Sequence, residues 1–498
     1  MTADADLPSP TVLRRARVVG SDGALEDLVI EAGRLVARRP HDSSAADQGD
    51  PVDLDGRFVL AGLWDAHVHF DQWATAELQL DLSGTRSAGE AVARVAERVA
   101  EHPAGDDVLV GYGFRDGLWP DAPTLTALDA VSGVTPVALV SGDLHCVWLN
   151  SAAFGRLGVE PRPEGLLREK ESEQAVGQLW TTTPEASDAR AVTAASAAAA
   201  RGVVGIVEFE RARNLEVWTR RHHGGLTSLR VECAFYPPDL GWALGQGLRT
   251  GEPVPATDGL VRMGPLKVMT DGSLNTRTAY CHDPYPGLTG PHACGLLEVA
   301  PEQLETLMAR ARDRGITAAI HAIGDRANTL VLDVFERLGA TGSIEHAQLL
   351  DAADLARFAR LGVTASVQPA HVLDDRDVAD HHWAGRTGRA FPFADLARAG
   401  ATLALGSDAP VSPLDPWVTI AAAVHRSADD RPPWHPEQQL SIIQALTWST
   451  RGGPAPVVGT PADLVVVDRD PLTSTPAELA TMPVHATLLG GRWTWRAE

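Results

Sequence analysis

From Val59 onward, short apolar runs alternate with helix-like segments along most of the chain. Most runs end in a cluster of polar residues, and stretches such as PEQLETLMARARDRG between them are amphipathic and end near a glycine that stops a helix. Eight runs predict an α/β fold, a (β/α)8 barrel of the TIM type with its polar residues at the carboxyl ends of the strands. A doubly wound open sheet is the competing fold. The runs are VLAGLWDAHVHF, GVVGIVEFE, LRVECAFYP, GPLKVMTDGS, ITAAIHAIGD, GSIEHAQLL, GVTASVQPAH and ATLALGSDAP.

Two features interrupt this rhythm. The interval after the first run is much longer than one strand–helix unit needs, so we expect residues 72–200 to be an insertion that caps the barrel mouth. Both chain ends are rich in short strands and turns, as in TVLRRARVVG and ADLVVVDRD. The expected domains are therefore a small β-sandwich built from residues 1–60 and 456–498, and a barrel with its insertion over residues 61–455.

Composition limits the classes of binding partner and the cellular compartment that we expect. The formal net charge of −22 argues against nucleic acid and anionic membrane as partners. No uninterrupted apolar stretch of about 18 residues is present, and the polar start MTADADLPSP lacks the features of a signal peptide. The four cysteines form no close pair that would indicate a disulfide framework or a thiolate metal site. We expect a cytoplasmic protein with a small-molecule substrate, and self-association into a homo-oligomer stays open.

Lysine usage is unusual. Of the 43 basic residues only Lys170 and Lys267 are lysines, and Lys267 lies in the fourth apolar run. Arginine stays charged at any working pH, whereas a buried lysine can become neutral and react as a nucleophile. A neutral lysine amine can take up carbon dioxide and form a carbamate, which bridges two metal ions as a carboxylate does. An ordinary surface lysine is the alternative.

Histidines and one aspartate stand at the ends of other runs. His67 and His69 are two residues apart on a strand, so both side chains point to one face. His321 and His346 end the fifth and sixth runs, and Asp408 ends the eighth. Each of these residues alone has a structural explanation, but histidine is the commonest metal ligand and together they indicate a metal centre.

These segments resemble the amidohydrolase superfamily, and within it the branch called amidohydrolase family 3. The resemblance covers nearly the whole chain through HVHF, ELQLDLSGTRS, EGLLRE, LKVMTDGSLNTRTA, IHAIGDRA, IEHAQ, SVQPAH, LGSDAPVSPLDPW and ADLVVVDRDPL. It implies a hydrolase with one or two divalent metal ions. By this resemblance one metal is held by His67, His69 and Asp408 and a second by His321 and His346, while a carboxylated Lys267 bridges the two.

The chemistry of C–N hydrolysis agrees with such a ligand set. Two metal ions, for which zinc is our expectation, lower the pKa of a bridging water and polarise a carbonyl oxygen. Asp408 would then act as a proton shuttle to the leaving nitrogen, a role typically worth about 10²–10⁴ in rate. We expect a hydrolase of C–N bonds outside peptides, with N-acyl or N-formyl amides, cyclic amides, ureas and carbamates as candidate substrates. Phosphotriester or lactone hydrolysis would use the same centre.

Other functions and further site residues stay open at this point. A mononuclear deaminase of heterocycles usually has a glutamate three residues after the fifth-strand histidine, where this chain has Gly324. A third hypothesis is a catalytically silent barrel that serves as a structural or binding protein. Relatives often read Asp-Gly-His within the insertion, where this chain reads SGDLHCVWLN. Candidates for substrate binding are His145, His371, Trp73, Asp271 and Asp325.

Overall fold

The computed structural model describes residues 12–43, 51–101, 108–180 and 182–497. Residues 1–11, on which the prediction about a signal peptide depends, lie outside this range. The strands are β1 (Val12–Val18), β2 (Leu25–Glu31), β3 (Arg34–Pro40), β4 (Pro51–Asp53), β5 (Phe58–Ala61), β6 (Leu63–Val68), β7 (Leu80–Asp81), β8 (Leu109–Phe114), β9 (Val137–Ser141), β10 (Cys146–Leu149), β11 (Leu166–Arg168), β12 (Val203–Glu208), β13 (Arg230–Phe235), β14 (Val261–Met269), β15 (Ala318–Ala322), β16 (Gly342–His346), β17 (Val363–Val367), β18 (Leu403–Leu405), β19 (Leu464–Val467), β20 (Val484–Leu489) and β21 (Arg492–Arg496).

The helices connect these strands and pack outside them. They are α1 (Phe70–Ala76), α2 (Ala88–Glu101), α3 (Leu125–Ser132), α4 (Ser151–Leu157), α5 (Lys170–Leu179), α6 (Pro184–Ala200), α7 (Asn214–His223), α8 (Leu240–Gly245), α9 (Pro301–Arg312), α10 (Asp325–Leu338), α11 (Ala352–Leu361), α12 (His371–His382), α13 (Phe393–Arg398), α14 (Pro416–His425), α15 (Ile442–Ser449) and α16 (Pro476–Ala480). Helix α11 ends at Gly362 in the left-handed conformation, with φ of 67°. The glycine stop that the sequence indicates is therefore present. None of the described helices is long and apolar enough to cross a membrane.

Eight parallel strands form the barrel. They pair in the order β6, β12, β13, β14, β15, β16, β17 and β18, and each coincides with one of the eight predicted runs. A parallel bridge between Val68 and Ala409 closes the circle just beyond β18. Every residue of β12 is buried, as expected for a strand covered on both faces. The predicted (β/α)8 barrel is confirmed, and the open doubly wound sheet is excluded.

The insertion follows the first barrel strand, as predicted. Its five-stranded sheet has the order β11-β10-β9-β8-β7, with parallel pairing in β7–β8–β9 and antiparallel pairing in β9–β10–β11. One face packs around Trp148 and Leu139, and the other around Phe154 and Val140. The insertion therefore folds around its own apolar cores. Helix α6 after it packs its alanines into the core of the barrel.

The two chain ends share one sheet. Strand β5 pairs antiparallel with β19, and Val59 lies opposite Val466. The strand order of the sheet is β21-β20-β19-β5-β1-β2-β3. Strand β4 adds to β1. Leu13, Val59 and Leu488 belong to a buried cluster separate from the barrel core. The predicted association of the two β-rich ends is present, as one continuous hydrogen-bonded sheet.

Candidate metal centre and substrate cavity

The first barrel strand delivers two imidazoles to the barrel mouth. His67 is 1% exposed, and its Nδ1 lies 2.7 Å from Oε2 of Glu345, a buried carboxylate on β16. His67 Nε2 lies 3.4 Å from Oδ1 of Asp408, and His69 Nε2 lies 3.5 Å from the same oxygen. Because Glu345 occupies one nitrogen of His67, the other is directed at Asp408 and is available to a metal.

Asp408 follows strand β18 in a backbone conformation that is uncommon for this residue type, with φ of 57°. Its N–H donates to the carbonyl of His67 at 2.8 Å. Asp65 fastens the same turn, since one carboxylate oxygen accepts from the N–H of Ser407 at 2.8 Å and from that of His67 at 3.1 Å. Burial raises the pKa of Asp408, although the charge of Lys267 opposes this. The carboxylate is therefore held rigidly against the two imidazoles.

Lys267 on β14 is 1% exposed and lies next to these groups. Its Nζ is 3.4 Å from Nε2 of His67 and 4.4 Å from the ring centroid of Phe209. Within the described residues it has no carboxylate at ion-pair distance. Burial lowers its pKa, while the charges of Glu345 and Asp408 act in the opposite direction. A buried amine without a paired anion is what uptake of carbon dioxide would require.

The fifth and sixth strands supply two more imidazoles. His321 Nε2 lies 3.3 Å from Oδ1 of Asp271 and 3.4 Å from the carbonyl of Gly272, while its Nδ1 is buried without a hydrogen-bond partner. The ring of His346 lies 4.6 Å from that of His321, and its Nδ1 is likewise buried and unpartnered. Burial lowers the pKa of both histidines, which keeps them neutral. Neutral imidazoles with unsatisfied buried nitrogens fit a metal ion.

Two groups of side chains have ligand atoms close enough to share an ion. In each group these atoms lie within 4.8 Å of one another. One group is the predicted set of His67, His69 and Asp408. The other contains His346, His371 and Asp408, so the structure brings His371 closer to this centre than the sequence indicated. Imidazole and carboxylate donors of this kind suit zinc and other divalent transition metals.

A cavity of 1180 Å³ opens above these groups, and all six predicted metal ligands line it. His145, His371 and Asp271, which the sequence suggested for substrate binding, line it as well. Asp271 also accepts hydrogen bonds from the N–H groups of Ile323 and Gly324 at 3.0 and 2.9 Å, so it fixes the end of strand β15. The volume suits a small-molecule substrate.

Two sequence-based assignments need correction. Trp73 packs edge-on against Phe70, with ring centroids 5.6 Å apart, in the apolar core. The two residues are three apart in helix α1 and therefore share its buried face. Asp325 is fully buried and accepts from the N–H of His282 at 2.9 Å and from Arg389 at 3.1 Å. Neither Trp73 nor Asp325 lines the cavity, so neither is placed to bind substrate.

The insertion contributes residues that the sequence did not reveal. The hydroxyl of Tyr112 lies 2.6 Å from the carbonyl oxygen of Pro410, in the loop that follows Asp408. Arg115 donates to the carbonyl of Val411 at 3.0 Å in the same loop. These contacts join distant parts of the chain and leave no local signal. Glu345 on β16 did have a local sequence signal, because it is an acidic residue within one of the predicted apolar runs.

A closed barrel with imidazoles, an amine and a carboxylate at the carboxyl ends of its strands has the architecture of a metal-dependent hydrolase. The sequence model of the amidohydrolase family matches residues 50–494, and the chain belongs to this family. It is 26% identical to the putative amidohydrolase YtcJ of Bacillus subtilis over 94% of each chain. It is 25% identical to the N-substituted formamide deformylase of Arthrobacter pascens over 90% of each chain. A solved structure of an uncharacterized metal-dependent hydrolase from Pyrococcus horikoshii is 27% identical and superposes with a TM-score of 0.76, covering 94% of this chain and 99% of that one.

Proposed function

We propose that this protein hydrolyses a C–N bond outside peptides, in an N-acyl or N-formyl amide, a cyclic amide, a urea or a carbamate. The observation that carries the proposal is the convergence of four imidazoles, one buried amine and Asp408 on a single cavity. Similarity to a formamide deformylase over 90% of the chain supports this class of substrate. Family membership supports hydrolysis in general.

The ligand roles follow from which nitrogens are free. His67, His69 and Asp408 would hold one divalent metal ion, since their ligand atoms already form one group. His321 and His346, each with a buried unpartnered nitrogen, would hold the second. We propose that Lys267 is carboxylated, and as a carbamate it would supply an anionic oxygen donor to both ions. Bound metal ions of this type lower the pKa of water and polarise a carbonyl oxygen.

The side chains around the ligands perform the remaining tasks. We propose that Asp408 accepts a proton from the attacking water and passes it to the leaving nitrogen. His371 is suited to bind the substrate beside it, because its Nε2 is buried without a hydrogen-bond partner and lies 3.9 Å from Oδ2 of Asp408. Glu345 fixes the ring of His67 from behind.

Deamination of a heterocycle has less support. A side chain at Gly324 has no room, because a Cβ there would lie 2.2 Å from the carbonyl oxygen of Tyr280. The N–H of Gly324 is also engaged by Asp271. The glutamate that such deaminases usually carry at this position therefore cannot be accommodated in this backbone.

Metal analysis followed by a substrate panel tests the proposal. Purified protein should carry between one and two equivalents of a divalent transition metal, and prolonged chelation should abolish hydrolysis, which returns when metal is restored. The panel contains N-formyl amines, N-acyl amines, hydantoins and carbamates, with dipeptides and an aminoheterocycle as controls. Turnover confined to the dipeptides or the aminoheterocycle would overturn the assignment of the bond. Full activity in metal-free protein would overturn the whole proposal.

A further inference from the structure

His145 lies in the turn between β9 and β10, and its ring lines the cavity on the side of the insertion. Its Nδ1 is 2.8 Å from Oε2 of Glu169. Its backbone N–H donates to Oδ1 of Asp143 at 3.1 Å. Among the described residues Nε2 has no hydrogen-bond partner. One ring nitrogen is therefore fixed by the protein, and the other is left for a ligand.

Glu169 is held in an unusual conformation opposite this histidine. Its backbone has φ of 51° and ψ of −124°, a region that residues other than glycine rarely adopt. The N–H of Glu169 donates to the carbonyl of His145 at 2.9 Å, so the two residues are joined through both main chain and side chain. On the barrel side, Thr278 Oγ1 lies 3.5 Å from Oε1 of Glu169. Such a conformation persists only where the surroundings fix it, which keeps the imidazole in one orientation.

The charges around the ring decide its protonation. Burial lowers the pKa of His145, but the hydrogen bond to Glu169 and the charges of Asp143, Glu169 and Glu173 outweigh burial and raise the pKa to about 9. The ring is therefore an imidazolium at neutral pH, and both nitrogens carry a proton. Nε2 is then a hydrogen-bond donor and cannot serve as a metal ligand.

The same charges restrict what this donor can bind. Two of the three carboxylates near the ring have other cationic neighbours, since Glu173 pairs with Arg211 and the charge of Arg115 acts on Asp143. The imidazolium of His145 and the carboxylate of Glu169 then form a pair without net charge, so a free anion gains no net attraction there. An uncharged carbonyl oxygen needs no net positive charge to accept the hydrogen bond. We propose that His145 is a specificity-determining residue, which donates a charge-assisted hydrogen bond from Nε2 to an uncharged carbonyl-type oxygen of the substrate.

This inference deepens the proposed function and rests on it for the position of the scissile bond. The barrel strands contribute the metal ligands that line the cavity, and the insertion contributes His145. The substrate would then carry a second oxygen acceptor, on the part of the molecule that points toward the insertion. Hydrogen bonds to charged groups are worth a factor of about 10 to 100 in binding.

Matched compounds measure this preference. Each pair consists of an N-formyl amine with an amide carbonyl on the amine side and its partner with a methylene in place of that carbonyl, over a series of spacer lengths. Metal-loaded wild-type protein should favour the carbonyl member by about 10-fold to 100-fold in KM and in Kd from calorimetry, for at least one spacer length. The absence of any preference in the wild type would overturn the inference.

Two variants locate the effect. His145→Phe keeps a planar ring without the N–H and should reduce the preference to about one. Glu169→Gln should weaken the preference and should bring the imidazole of His145 to deprotonation at lower pH, as followed by ¹⁵N resonances of the ring. His435 and Glu437 form a matched control outside the cavity, with Nδ1 and Oε1 2.8 Å apart. His435→Phe and Glu437→Gln should leave the preference intact.

The outcomes separate this inference from the proposed function. Calorimetric preference without turnover of any compound would contradict the proposed function and support the role of His145. Turnover without any preference for the carbonyl member would support the proposed function and contradict the role of His145. A preference that survives in His145→Phe would show that another group donates the hydrogen bond.

Discussion

The two walls of the cavity are built on different principles. On the barrel wall, each functional residue lies at or near the carboxyl end of a parallel strand, and neighbouring strands place them side by side, as His321 and Glu345 show in register. Strand spacing of about 4.8 Å then brings ligands within reach of one ion. On the insertion wall, Arg115 directly follows β8, while His145 comes from a turn. No repeated geometry relates these residues.

The two walls also differ in burial. His67 and Glu345 are both 1% exposed, whereas the ion pair of Arg115 with Asp374 has side chains 32% and 37% exposed. Water screens the second pair, and such pairs contribute little individually. The buried barrel wall is therefore suited to the chemistry, and the more exposed insertion wall is suited to adjusting the binding and position of the substrate. Changes on the barrel wall should therefore have much larger effects on turnover than changes on the insertion wall.

The largest effect is expected at Lys267. Lys267→Ala should lose one or both metals and nearly all activity, because the proposed carbamate cannot form. Formate or acetate at high concentration should partly restore both. Lys267→Arg should not rescue, since the guanidinium stays charged. Metal content and turnover are the measurements, with Lys170→Arg as the control, because Lys170 lines the same cavity and is exposed. An arginine variant at 267 that binds metal and turns over like wild type would exclude the carbamate.

The second-largest effect on turnover is expected for Asp408→Asn. The amide keeps the shape of the carboxylate but has no basic oxygen, so turnover should fall by about 10² or more while the fold is retained. Steady-state kinetics measures turnover, and circular dichroism shows whether the fold is retained. Normal turnover would reduce Asp408 to a residue that shapes the turn after β18.

The positions of the barrel residues were predictable from sequence. Most of the apolar runs ended in a polar residue that became part of the site, so His67, His69, Lys267, His321, His346 and Asp408 all reach the cavity. The information is local, because one run of the chain contains both the strand and its functional residue. Parallel pairing then brings the carboxyl ends of the strands together at one face of the barrel.

The residues that sequence reasoning missed depend on backbone angles and on contacts between distant segments. On β16, His346 was predicted and its neighbour Glu345 was missed. His346 has φ of 75°, which breaks the alternation of faces along the strand and lets both side chains serve the site. No pattern of apolar and polar residues encodes that angle. Tyr112 and Pro410 meet across almost 300 positions of sequence, as the separation of 298 shows. Trp73 was misplaced because the burial of a helix face depends on what packs against it.

Glu345 offers a sharper test of the barrel wall. Glu345→Gln keeps an oxygen near Nδ1 of His67 but removes the charge that orients and polarises the ring. Metal affinity should fall by about 10-fold to 100-fold. Competition with a chelator measures the dissociation constant. Glu232→Gln is a suitable control, since Glu232 pairs with Arg451 away from the cavity. Unchanged affinity in Glu345→Gln would show that His67 needs no carboxylate support.

The smallest effect is expected in the insertion, at Tyr112. Tyr112→Phe removes the hydroxyl that lies 2.6 Å from the carbonyl oxygen of Pro410. A hydrogen bond contributes about 0.5–1.5 kcal/mol net, so kcat should fall by about 2-fold to 10-fold as the loop after Asp408 loosens. The metal content should not change, because no ligand is touched.

A matched variant separates position from stability in this prediction. Tyr285 also has a buried hydroxyl, which donates to the carbonyl of Ala279 at 2.9 Å and not to the loop that follows Asp408. Tyr285→Phe should lower the melting temperature by a similar amount and leave kcat unchanged. If Tyr112→Phe lowers only the melting temperature, the insertion stabilises the barrel without positioning Asp408. If it lowers kcat by more than about 100-fold, the effect exceeds a single neutral hydrogen bond, and the division of labour between the two walls is wrong.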